Sequence, residues 1–292
     1  MDHRVQVPQV IGHESSGVIA AVGDGVTGYR IGDRVTVMPL DPCESCPACR
    51  AGHGHICQRL KFIGIDAPGA MQALWTVPAH TLHRIPDSLS LEHAALIEPI
   101  AVACHDVRLG EVAPGEFTVV LGGGPIGALV ALVAQQSGAQ VVVSEVNPFR
   151  IRLAGGLGLD VVDPGETDLA KLVSDRTGDA GADVVFEVSG SAAGVEIMPM
   201  LLRTRGRMVI VAVFAKPVPL NLHRVFWREL RMTGTRVYEH EDFAKAIQLL
   251  STGAIPFQKL ITDVYPLDRL EDGLKQMEKG GEVMKILVDC GR

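Results

Sequence analysis

Phe117-Thr118-Val119-Val120-Leu121-Gly122-Gly123-Gly124-Pro125-Ile126-Gly127 decides the fold of this chain. An apolar, β-branched run predicts a strand buried on both faces, as strands of parallel sheets are. The glycines then follow in the spacing Gly122-x-Gly124-x-x-Gly127. Gly122 suits a tight turn, Gly124 a close approach of backbone to a pyrophosphate, and Gly127 contact between helix and strand. Pro125 fits the first helical turn, where its missing N–H costs nothing. With Ile126 it opens a helix whose free N–H groups and dipole would face phosphates. The next strand, Val141-Val142-Val143-Ser144, ends at Glu145. A carboxylate there can accept hydrogen bonds from adenosine ribose hydroxyls and would repel a 2′-phosphate, so NAD is expected over NADP. Arg150 works against that preference, because it could stack on adenine or meet a phosphate. The same residues would also fit a doubly wound domain that binds nothing.

Around this stretch the rhythm is strand, helix, strand. Apolar runs at 117–121, 140–144, 182–186 and 207–213 alternate with helical stretches near 125–137, 147–157, 166–177 and 192–203. Such alternation implies parallel βαβ units with helices on both faces. Phe117 to Ser144 carries no charge, a length that could span a bilayer, but the breaks at Gly122–Pro125 and Gln135–Gly138 favour a buried strand-helix-strand unit. Residues 1–100 read as β-rich, with strands expected at Val18–Val22, Arg34–Met38 and Leu74–Val77. A closing segment has a helix from Asp242 to Ser251 and a strand over Met284–Val288. The expected domains are 1–101, 102–240 and a return segment, 241–292.

With 47% hydrophobic and 21% charged residues, the 292-residue chain has the composition of a folded globular protein. Its net charge of -7, without a basic run, gives no footprint for nucleic acid or anionic lipid, and neither is expected as a partner.

Four of the six cysteines stand in one loop, Cys43-x-x-Cys46-x-x-Cys49-x7-Cys57. Four thiolates at these spacings suit a closed tetrahedral zinc site with a structural role, an iron–sulfur cluster being the competing reading. His53 and His55, in the same loop, are expected to be solvated. Elsewhere Gly12-His13-Glu14 and Glu98-Pro99 hold residue types that ligate metals, although by spacing alone both fit ordinary structural roles.

Taken together, Gly12-His13-Glu14-Ser15-Ser16-Gly17-Val18, Gly32-Asp33-Arg34-Val35, the four-cysteine loop, Glu98-Pro99-Ile100-Ala101-Val102-Ala103-Cys104-His105 and Gly122–Gly127 resemble the zinc-containing medium-chain alcohol dehydrogenases. Glu98 points to the polyol branch, the sorbitol, butanediol and threonine dehydrogenases. The resemblance implies a Rossmann domain beside a GroES-like domain, and a catalytic zinc held by His13 and Glu98 with Glu14 as ligand or near-ligand. It places Val211, Val213 and the stretch Arg236-Val237-Tyr238 beside nicotinamide and substrate. Family members carry roughly fifty more residues before the Gly-His-Glu motif, with a further zinc-binding Cys and a proton-relaying Ser or Thr. Set against that pattern, the GroES-like domain is expected to be truncated and the catalytic zinc site incomplete. The implied activity is hydride transfer from a secondary alcohol, polyol or amino alcohol to NAD. The alternative is a pseudoenzyme that keeps NAD and the structural zinc. A cytoplasmic homodimer or homotetramer is the implied form.

Overall fold

The structure is a computed structural model that describes Val5, residues 7–253 and residues 255–291. It divides into two compact units. One takes the residues up to Ala101, Val237–Lys279 and the segment from Lys285. The other takes Val102–Arg236 with Gly280–Met284.

The second unit is built on a six-stranded parallel sheet among the described residues, in the order Arg231–Gly234, Leu202–Ile210, Ala182–Glu187, Phe117–Leu121, Gln140–Ser144, Asp160–Val162. The register pairs Thr118 with Val141 on one side and with Val184 on the other. Val119, Val120, Val142, Val143, Val184 and Val185 are all fully buried, which is why the central strands read as unbroken apolar runs. The two outermost strands, Asp160–Val162 and Arg231–Gly234, have no such run. They are short and partly exposed, and edge strands of this kind leave little hydrophobic signal in a sequence.

The helices Pro125–Gln136, Pro148–Gly156, Leu169–Thr177 and Ala192–Leu201 follow the expected stretches closely. Three of them are closed at the N-terminus by a side chain: Asn147, Asp168 and Ser191 accept from backbone N–H groups of the first turn. Helix Pro125–Gln136 has Gly124 at that position and no side-chain cap. Its first N–H groups are therefore left for another acceptor. The apolar run expected over 207–213 leaves the sheet at Ile210, because the N–H groups of Val211 and Ala212 both turn back to the Glu187 carbonyl, at 3.0 Å each.

In the first unit, Ser16–Val18, Arg34–Val37 and Leu82–Arg84 form an antiparallel sheet, with Ser16 opposite Thr36 and Val37 opposite Leu82. The strand expected over Val18–Val22 thus ends where that expectation began. Leu74–Val77 is not a strand: Leu74 points outward, the Trp75 indole donates to the Pro68 carbonyl at 2.9 Å, and Pro78 removes the next ladder donor. The closing segment supplies helix His240–Thr252, opened by a capping box of Glu239 and Asp242, and strand Lys285–Asp289, parallel to Ile261–Pro266. No described helix is long and apolar enough to cross a membrane.

Candidate active site

At the carboxyl edge of the parallel sheet, Gly122 turns with φ +101° and its N–H donates to the Ser144 carbonyl at 2.8 Å. A Cβ on Gly127 would lie 1.9 Å from the Gly122 carbonyl oxygen, so helix and turn meet at a distance that only glycine permits. Glu145 is buried at the end of the neighbouring strand. Its Oε2 accepts from the Gly123 N–H, and its Oε1 from the N–H groups of Val146 and Asn147, all at 2.8 Å. The carboxylate is thereby fixed against the glycine turn before any ligand arrives. Arg150 Nη1 stands 3.9 Å from Glu145 Oε2 and is the nearest group to the open side of Gly124. Gly122, Gly124, Pro125, Ile126, Gly127, Glu145 and Arg150 thus gather at one turn. Val211 and Val213 follow another strand of the same edge, and Val213 is almost wholly exposed.

In the other unit, His13, Glu14 and Glu98 converge, with one ligand atom from each lying within 4.8 Å of the others. The backbone before His13 is held tightly. Ala70 N–H donates to the Gly12 carbonyl at 2.8 Å and Met71 N–H to the Ile11 carbonyl at 3.0 Å. A Cβ on Gly69 would come within 2.3 Å of the Gly12 oxygen. The imidazole then meets Phe62 edge-on at 5.0 Å. Burial, with the Lys285 charge added, lowers His13 to about 4, so the ring is neutral and able to ligate near pH 7. Glu98 lies in the first turn of helix Ile97–Leu109, 4% exposed, and burial pushes its carboxyl up to about 7. The Tyr238 hydroxyl, donating to Glu98 Oε1 at 2.8 Å, opposes that rise. Glu14 accepts from Lys285 Nζ, and burial lowers that ammonium to about 8. A neutral imidazole and two carboxylates are a donor set that fits zinc.

The four-cysteine loop closes on itself. Cys43 to Cys57 and Cys46 to Cys49 are 3.4 Å apart, Cys46 to Cys57 3.7 Å and Cys43 to Cys49 4.0 Å between sulfurs. Zinc bound at about 2.3 Å to four thiolates sets its sulfurs about 3.8 Å apart, so the tetrad fits such an ion. Cys46 caps helix Pro47–Arg50 with its sulfur, and Arg59 donates to Cys57 through its backbone and to Cys43 through its guanidinium. The Ser45 backbone N–H and then Arg59 lower Cys43 to about 5, whereas burial and the neighbouring thiols push Cys49 up to about 12. His53 is exposed, as expected. His55 is not: its side chain is 9% exposed and its Nδ1 faces Glu239 at 3.5 Å.

One residue of this centre, Lys285, escapes a reading of the sequence alone. It has a faint signal, a single cation in an apolar strand. Tyr238, which the resemblance sets beside nicotinamide and substrate, has a fully buried ring, and its hydroxyl donates to Glu98.

Residues 125–252 match the family described as zinc-binding dehydrogenase, and residues 1–87 the one described as alcohol dehydrogenase GroES-like domain. The chain is 50% identical to 2-dehydro-3-deoxy-L-galactonate 5-dehydrogenase of Pseudoalteromonas atlantica over 99% of its own length and 85% of that protein's. It is 32% identical to sorbitol dehydrogenase of Bombyx mori, covering 97% and 83%. Among solved structures, 2R,3R-butanediol dehydrogenase from Bacillus subtilis superposes with a TM-score of 0.90 at 31% identity, covering 99% and 86%. A structure from Sinorhizobium meliloti, described as a zinc-binding dehydrogenase bound to NADP, gives 0.91 at 32% identity, covering 97% and 84%.

Proposed function

The chain belongs to the zinc-dependent medium-chain alcohol dehydrogenases, a Rossmann unit with a GroES-like one, and from that premise we propose that it oxidises a secondary hydroxyl of a small polyol or sugar acid with NAD. The observation that carries this reading is the convergence of His13, Glu14 and Glu98 on one point in a chain that also holds an uncapped glycine turn beside a buried acid. The sugar-acid substrate of the 50%-identical relative supports the substrate class. The pseudoenzyme alternative finds no support among the relatives, which are named dehydrogenases.

In this reading His13 and Glu98 hold the catalytic zinc, with Glu14 beside them, and Cys43, Cys46, Cys49 and Cys57 hold a structural one. Zinc bound at the first site supplies a Lewis acid for the substrate hydroxyl, and bound NAD supplies the hydride acceptor. His13 brings a neutral donor, and Glu98 brings charge that offsets the cation. The first N–H groups of helix Pro125–Gln136 receive the pyrophosphate, and Glu145 receives the ribose hydroxyls. Val211 and Val213 lie along the cofactor's path.

We further infer a homo-oligomer. The edge strand Arg231–Gly234 and the exposed Leu222, Phe226, Trp227 and Met232 support that reading. A cytoplasmic setting agrees with six cysteines that form no disulfide.

The test is NADH formation by the zinc-loaded protein across diols, polyols, L-threonine and 2-dehydro-3-deoxy-L-galactonate. Turnover with at least one polyhydroxylated secondary alcohol is expected. No turnover with any of them would overturn the reading.

A further inference from the structure

Among the described residues Tyr238 is the largest fully buried side chain, and its one polar side-chain atom is aimed at Glu98. Three further observations show that this placement is enforced. Val237, directly before it, holds φ at +53°, a left-handed conformation that a β-branched residue adopts only under constraint from its surroundings. Glu239, directly after it, is locked into the capping box of helix His240–Thr252 and faces His55 of the cysteine loop at 3.5 Å. The ring itself packs against Phe243 at 5.4 Å. Strain on one side and anchoring on the other fix the hydroxyl at 2.8 Å from Glu98 Oε1.

We propose that Tyr238 is a positioning residue for the metal ligand Glu98: its hydroxyl occupies Oε1, orients the carboxylate plane and leaves Oε2 to the cation. This rests on the reading of Glu98 as a zinc ligand. A hydrogen-bond donor behind a ligating carboxylate restricts its rotation and favours its ionised form, so the ligand is set before the metal arrives. A phenol suits the task because its stiff ring carries the donor deep into an apolar site without adding a charge.

The experiment uses the full chain with both zinc sites loaded, and compares Tyr238→Phe, Glu98→Gln and the double variant by chelator competition and steady-state kinetics. Retention of the cysteine-loop zinc and an unshifted melting temperature report that each variant is folded. In Tyr238→Phe the other zinc is expected to bind about 10- to 100-fold more weakly, with kcat falling while KM changes little. The double variant is expected to be no worse than Glu98→Gln, because Tyr238 acts through Glu98. Zinc affinity unchanged in Tyr238→Phe but lost in Glu98→Gln overturns the positioning role alone. Zinc affinity unchanged in Glu98→Gln overturns the ligand assignment on which it rests. Additive losses in the double variant would also overturn the role, since Tyr238 would then act independently of Glu98.

Discussion

Lys285 donates to Glu14, so one of the two carboxylates that converge with His13 is already paired with a largely buried ammonium. The same charge depresses the affinity of His13 for a proton. Lys285 therefore competes with a metal ion for Glu14 and repels that ion as well. Lys285→Met, which keeps the apolar stem, should tighten zinc binding on the order of tenfold, since one unit charge is removed from within a few ångströms of the site. Chelator competition measures this, and weaker zinc binding in the variant would contradict it.

The protonation of Glu98 gives a pH dependence with a definite sign. Its carboxyl titrates near 7, so below that pH a metal must displace a proton from it, whereas His13, titrating near 4, is already neutral. Zinc affinity at this centre should rise about tenfold per pH unit from pH 5 to 7 and level off until Lys285, lowered to about 8, begins to lose its charge. Calorimetry in buffers of different ionisation enthalpy should show about one proton released per zinc at pH 5.5. Affinity that is flat across pH 5–7 would count against Glu98 as a ligand.

Cys46 is buried at the helix cap of the four-cysteine loop. Cys46→Ser should release the zinc of that loop and lower Tm by about 5–10 °C, with little change in NAD affinity. An undisturbed melting curve would show that the loop does not depend on a metal staple.

Glu145 accepts three backbone N–H groups at the glycine turn, so Glu145→Ser should weaken both cofactors through the turn and NAD further through the lost ribose contact. The ratio of kcat/KM for NAD over NADP isolates the second effect. It should fall about 10- to 100-fold, the usual worth of a charged hydrogen bond. A constant ratio would discredit the ribose assignment.

Gly127→Ala places a methyl group on the Gly122 carbonyl. The helix must shift, at about 1–3 kcal/mol of stability, and the phosphate-facing N–H groups shift with it. Lower Tm together with weaker NAD binding is expected by thermal melting and fluorescence titration.

The central strands Phe117–Leu121, Gln140–Ser144 and Ala182–Glu187 were legible because they are buried on both faces, and an unbroken apolar run records that burial directly. The glycine turn was legible because a carbonyl at 1.9 Å tolerates no side chain, a demand that falls on residue type itself. Clustering of four thiols within fifteen positions was likewise local in the chain. The edge strands Asp160–Val162 and Arg231–Gly234 left no comparable mark, since half-exposed strands accept almost any residue. What only the tertiary structure decided is the setting of Glu98. Its hydroxyl partner lies 140 positions away in sequence, and the lysine that restrains Glu14 lies 271 positions from it. Pairings of that kind follow from which backbone segments the core brings together, and a hydrogen bond or ion pair between two side chains imposes no pattern on the residues around either one.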